Sequence, residues 1–215
     1  MRKIFLGLAF AVAVSSAGAV RAQETPKDQT VAAAEILVKD LGVTARRILQ
    51  QTQPTTPQRS TAFAELMVTA LDFDALAKFS LGRYAGAAST EEMTAYTKLF
   101  AVYFIDVAVG QIDATNATGF TVLGSNVLPN GDVIVKTRID VESGKAFEPG
   151  WRVRVGDQDM RIVDVFIEGA SASMHFRNRF ENWLSSAGVA GMISKLEGMT
   201  KNSPHRDYVK TASFH

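Results

Sequence analysis

After Thr30 apolar residues recur at three- and four-residue steps. Ala33, Leu37, Ala45, Ile48 and Leu49 share one stripe, interrupted by Gly42 and ended by Gln53-Pro54, which predicts a first amphipathic helix. Thr56-Pro57 supplies an N-cap and a proline at the first helical position, and Phe63, Leu66, Met67 and Ala70 continue as the apolar face of a second helix. Phe73, Leu76, Phe79 and Leu81 mark a short third one before Gly82-Arg83-Tyr84. Ser89-Thr90-Glu91-Glu92 is a capping box, because Ser89 can accept from the Glu92 amide while Glu92 reaches back. A long helix follows, carrying Met93, Tyr96, Phe100, Tyr103, Phe104, Val107 and Gln111 on one broad stripe.

After Gly119 the period falls to two. Strands are predicted over 120–125, 133–140, 147–155 and 160–167, separated by Pro129-Asn130-Gly131-Asp132, Ser143-Gly144 and Gly156-Asp157-Gln158-Asp159. Connections this short favour antiparallel neighbours, hence a four-stranded meander. Ser171 then caps a helix with Phe176, Phe180, Trp183, Leu184 and Ala187 on one face. Val189, Met192, Ile193 and Leu196 form a shorter one that ends at Gly198. Helices first, a sheet in the middle and helices last predict an α+β fold with the helices on one face of a twisted sheet.

The chain begins with Arg2 and Lys3, an uncharged run over 4–20 and then Val20-Arg21-Ala22, the composition of a cleavable secretory signal over residues 1–22. Nothing later is expected to be long and apolar enough to span a bilayer. The expected organisation is a signal peptide over 1–22, one α+β domain over 23–200 and a flexible polar tail over 201–215. Removing the signal takes three of the 23 basic residues, leaving 20 against 22 acidic ones and a net charge of −2. That balance gives no reason to propose a nucleic-acid partner. Cysteine is absent, which excludes disulfides, thiolate zinc sites and a cysteine nucleophile, so the core alone must stabilise the fold.

Candidate chemistry is sparse. His205 and His215 fall in the polar tail, and His175 has no ligand partner at metal-binding spacing, so no metal or cofactor is expected. Gly169-Ala170-Ser171-Ala172-Ser173 follows a strand and precedes a helix, the place of a nucleophile elbow, but position 173 is serine where that motif needs glycine. Ser171 reads better as an N-cap, and Asp72 and Asp74 as acids at a helix entry. The sheet is asymmetric: Val133, Val135 and Thr137 share one face, while Lys136, Arg138, Arg152 and Arg154 collect on the other, either as a solvated surface or as a docking face for an acidic partner or anionic headgroups. The many aromatics could converge between sheet and helices. Pattern alone does not separate a filled interior from a hollow one, and a solid core is the simpler reading.

The segment Ile162-Val163-Asp164-Val165-Phe166-Ile167-Glu168-Gly169-Ala170-Ser171, followed by Phe176-Arg177-Asn178-Arg179-Phe180, resembles the strand-to-helix signature of the MlaC (toluene-tolerance) family. Phe73 through Leu81-Gly82-Arg83-Tyr84, the helix after Thr90 and Trp151-Arg152-Val153 are similar to further segments of that family, in the same order over about residues 30 to 200. Ala170 stands where valine is expected, and Ala85 to Ala88 where bulkier residues are. The resemblance implies a fold of the NTF2-like or cystatin-like kind. It also implies a periplasmic phospholipid carrier, not an enzyme, working between an inner-membrane ABC transporter with an MCE-domain protein and an outer-membrane lipoprotein/porin complex. Under that reading Phe100, Tyr103, Phe104, Trp151, Val153, Ile167, Phe176 and Phe180 contact the acyl chains, and Tyr84 and Arg177 stand at the mouth. The alternatives are a carrier of a hopanoid or other apolar ligand, and a secreted hydrolase using Ser171.

Overall fold

The computed structural model describes residues 26–51, 56–115, 117–156, 159–212 and 214. The expected signal peptide lies outside them. Helix α1, Pro26–Gln51, starts five residues earlier than its apolar period suggests. Its buried stripe is Ala34, Val38, Leu41 and Ile48, steps of four, three and seven residues, which displaces the expected Ala33 and Leu37 to the flank. Helix α2, Pro57–Ala70, begins as predicted, with Thr56 Oγ1 accepting from the Arg59 amide at 3.3 Å. Helix α3, Phe73–Leu81, is capped by Asp72, whose Oδ1 accepts from the Ala75 amide at 2.8 Å, the capping role expected of that acid.

A 3-10 turn over Gly82–Ala87 leads to α4, Thr90–Thr115. The capping box is reciprocal there: the Glu92 amide donates to Ser89 Oγ at 3.1 Å, and the Ser89 amide to Glu92 Oε2 at 2.9 Å. Contrary to the sequence expectation, α4 is long and apolar enough to cross a membrane by length and composition. Its Tyr96, Phe100, Ala101, Val102 and Ile105 are at most 2% exposed, however, which makes it the central core helix of this domain.

The sheet has six strands where four were expected: β1 (Ala117–Val127), β2 (Val133–Val141), β3 (Ala146–Phe147), β4 (Gly150–Val155), β5 (Met160–Ile167) and β6 (Ala170–Ser171). The four long strands form the expected antiparallel meander in the order β1-β2-β4-β5. β6 extends it past β5, and β3 pairs with β2. Pro149 interrupts the predicted third strand, because it has no amide to offer a ladder, and splits it into β3 and β4. β6 exists because Glu168 (φ 51°) and Gly169 (φ 80°) form a two-residue turn with positive φ at both positions, the geometry that closes a hairpin.

Helix α5, Ala172–Met199, contains both predicted C-terminal helices, joined across a break at Gly188 with φ 64° and ψ −166°. Helices α3 and α5 pack on β5, α1 packs on β1 and β2, and α4 is enclosed by α2, α3, α5 and the last helix, α6 (Arg206–Thr211). The described residues of the segment expected to be a flexible tail are therefore structured: His205 and Val209 are buried, and the Phe214 ring meets Phe73 edge-on at 5.7 Å.

Candidate functional site

Five of the expected acyl-chain contacts do come together. Phe100, Tyr103, Phe104, Phe176 and Phe180 are all under 9% exposed and meet between α4 and α5. The Phe100 ring stands edge-on to Phe176 at 5.5 Å and to Phe180 at 6.3 Å; Phe104 lies 5.5 Å from Phe176, and Tyr103 lies 5.8 Å from Phe180. Each ring fills the space beside the next, so the cluster is packed core. Val153 is also fully buried, opposite Val133. Trp151 is half-buried, and its Nε1 donates to Thr137 Oγ1 at 2.9 Å.

The remaining expected residues lie apart from that cluster's interior. Ile167 is 52% exposed, at the hairpin turn before β6. Tyr84 lies beside Arg83 and Glu181, which are themselves paired, and joins the 3-10 turn to α5. Arg177 lies over Gly82, where an added Cβ would fall 2.4 Å from its Nε. With φ at 56° as well, glycine is required at this point of the Leu81-Gly82 motif.

An opening lies instead between α1 and the edge strand β1, with a volume of about 730 Å³. Its helical wall carries Glu35, Ile36, Lys39, Val43 and Arg46, and its strand wall runs from Phe120 to Gly124. Gly42 forms the floor, with the Phe120 ring set so closely on it that any side chain there would collide. Ile36 and Val43 are 59% exposed and Leu123 50%, an apolar lining in contact with water. A register shift between Val122 and Gly124 turns Leu123 outward. A second opening, of about 390 Å³, continues past Arg46 along Leu49, Arg59 and Ala117. The size and mostly apolar lining suit a small-molecule or lipid site. None of these groove residues was expected at a site from the sequence, in which Gly42 and Leu49 figure only in the stripe of the first helix. The available signal was the pair of apolar residues seven positions apart, Ile36 and Val43, off the buried stripe of α1.

The family-like signature around Asp164 has a structural role. Asp164 is 6% exposed and accepts from the Val165 amide at 2.9 Å, Ser171 Oγ at 2.5 Å, the Ser173 amide at 3.2 Å and Ser173 Oγ at 3.0 Å. Ser171 Oγ in turn accepts from the Met174 amide at 3.0 Å, capping α5. Its hydroxyl proton goes to a carboxylate, and among the described residues no histidine hydrogen-bonds to it; His175 is exposed on the helix, its ring against Phe176. Ser171 is a cap.

The cationic sheet face is largely neutralised. Arg152 and Arg154 converge on Asp132, with Nε–O distances of 2.6 and 3.2 Å, and Arg138 pairs with Asp140 at 2.9 Å and Glu148 at 3.8 Å. Burial works to raise the Asp132 carboxyl, but hydrogen bonds from Arg154, Asn130 and Arg152 outweigh it and hold the group below the ordinary carboxylate range. Three of the four cations thus have carboxylate partners, and Lys136 forms no ion pair among the described residues.

A buried polar cluster fastens the C-terminal segment. His205, 3% exposed, has its Nε2 at 2.5 Å from Ser60 Oγ and its Nδ1 at 2.7 Å from Asp106 Oδ1, which also accepts from Ser203 Oγ at 2.7 Å. The connectivity is that of a hydrolase triad, but Ser60 lines neither opening. What the cluster joins is α6 to α2 and α4. His205→Ala strands two polar partners and is expected to cost about 1–3 kcal/mol, read as a fall in Tm of roughly 2–4 °C per kcal/mol for a chain of this size.

Comparison with known proteins matches residues 43–198 to the MlaC protein family. No match was found among curated protein sequences. A solved phospholipid-binding protein from Ralstonia solanacearum, determined in complex with a phospholipid, has a similar structure. The two superpose with a TM-score of 0.64 at 18% identity, over 85% of this chain and 99% of that one. The matched segment includes the end of α1, helices α2 to α4, strands β1 to β6 and nearly all of α5, and on that extent the chain belongs to the MlaC family.

Proposed function

We propose that this protein is a phospholipid carrier that seats its cargo in the groove between α1 and β1 and makes or breaks no bond. The groove carries the reading: about 730 Å³ of space lined by Ile36, Val43, Phe120, Val122 and Leu123, with Lys39 and Arg46 on the same helix face. Apolar walls beside cations match an amphiphile, tails against the walls and phosphate toward the charges. Family membership and a phospholipid-bound structural neighbour point the same way. The physical need is plain. At about 0.8 kcal/mol per buried CH₂, two acyl chains resist crossing water by tens of kcal/mol unless protein covers them.

In this reading residues 1–22 direct export and are removed, and the mature chain works in the periplasm. It moves lipid between an inner-membrane ABC transporter with its MCE-domain protein and an outer-membrane lipoprotein complex, which would maintain lipid asymmetry of the outer membrane. The deciding experiment is native mass spectrometry of the protein purified from periplasm, followed by extraction and identification of the released molecule. One diacyl phospholipid per chain is expected. A hopanoid would reassign the cargo, and a folded protein repeatedly recovered empty would overturn the carrier reading.

A further inference from the structure

Resting on the carrier reading, we propose that Lys39 and Arg46 hold the lipid phosphate at the rim of the α1–β1 groove and make the site select phospholipids of net negative charge. On α1 the groove-facing residues alternate in kind: Ile36, Lys39, Val43, Arg46. Steps of three and four keep all four on one helix face, and the seven-residue spacing puts the two cations two turns apart, about 10 Å along the axis. The opposite wall, Phe120 to Gly124, carries no charge.

The only carboxylate lining this opening is Glu35, which is engaged by Ser125 Oγ at 2.6 Å. Neither Lys39 nor Arg46 forms an ion pair among the described residues, in contrast to Arg138, Arg152 and Arg154 on the sheet face. Two cations against one acid leave the rim at +1. Arg46 also lines the second opening, where Arg59 and Glu142 add one charge of each sign, so the Arg46 guanidinium borders both parts of the space a lipid would occupy.

Lysine and arginine lay their methylene stems along apolar surface and keep their heads in water. Here that places the charges over the tails, where the phosphate of an inserted lipid sits, and the guanidinium fork matches two phosphate oxygens. A zwitterionic headgroup brings its own ammonium beside Lys39 and Arg46, and like charges oppose it. A headgroup ending in glycerol brings none. The energetics of exposed charges set the expected scale at roughly two- to fivefold per cation.

The test offers the purified full chain mixed vesicles of phosphatidylglycerol and phosphatidylethanolamine with identical acyl chains, then measures the bound lipids by native mass spectrometry. The wild type is expected to be enriched in phosphatidylglycerol over the vesicle ratio by about fivefold. Lys39→Ala with Arg46→Ala should carry phospholipid at the vesicle ratio, and the double Glu variant should reverse the preference. Lys136→Ala with Arg138→Ala, on the sheet face, should leave the enrichment unchanged.

Binding of both lipids by the wild type at the vesicle ratio, or enrichment that survives the double Ala variant, overturns the proposal while leaving the carrier reading intact. Equal loss in the sheet-face variant assigns the enrichment to general attraction of the protein to anionic vesicles and also overturns it. A wild type that takes up neither lipid removes the carrier reading itself. Lys39 and Arg46 are exposed on α1, so a thermal melt coincident with wild type verifies that the variants are folded.

Discussion

Asp164→Ala is expected to lower the stability of the fold by about 3–5 kcal/mol, with a drop in Tm on the order of 10 °C. The side chain is 6% exposed and is the shared acceptor for four donors, two backbone amides and the hydroxyls of Ser171 and Ser173. Removing it leaves those donors in a site with little water, each unsatisfied group costing about 1–3 kcal/mol before relaxation. The damage should also spread. Asp164 fixes the rotamer of Ser171, and Ser171 caps α5, so the β5–β6 hairpin and the first turn of α5 should loosen together. Asp164→Asn keeps one acceptor oxygen and should lose about half as much. Thermal and urea melts of the three proteins measure this directly. A loss below 1 kcal/mol in the Ala variant would mean that the hairpin and helix hold their places without the clamp.

That clamp shows how the sequence could be read and where reading stopped. The strand at 160–167 and the cap at Ser171 were legible because each is a local pattern: period-two apolar residues, then a hydroxyl before a helix. The same holds for the Thr56-Pro57 entry and the Ser89–Glu92 box, where donor and acceptor are three residues apart. Long-range partners were not legible. Asp132 reads as a turn residue, yet it reaches the neighbouring strand β4 to neutralise Arg152 and Arg154; His205 reads as tail, yet it reaches Ser60 and Asp106. Apolar residues posed the opposite difficulty. Phe100 and Leu123 are equally suited to line a cavity by composition, and only packing separates a ring enclosed by four others from a leucine turned outward by a bulge. The aromatic inventory pointed to the interior between α4 and α5, while an open groove lies one layer away, between α1 and the sheet edge.

Phe100→Ala separates these two places by experiment. The Phe100 ring is fully buried, stacked 5.8 Å from Tyr96 and in contact with Phe104, Phe176 and Phe180, so its removal leaves a hole that neighbouring rings cannot collapse to fill. The expected cost is about 3–5 kcal/mol, among the largest a single substitution can have here. Because the ring is wall-to-wall core, the folded fraction of this variant should still carry phospholipid at wild-type stoichiometry. Ile36→Ser with Leu123→Ser should behave in the reverse way. Both side chains are at least half exposed, so stability should move by only about 0.5 kcal/mol for each, while lipid occupancy falls because the groove loses its apolar walls. Paired measurements of Tm and bound lipid on the two variants give a crossed pattern if the cargo sits between α1 and β1. A stable Phe100→Ala protein that has lost its lipid, beside a groove variant that keeps it, would move the cargo to the α4–α5 interface and restore the aromatic residues as its walls.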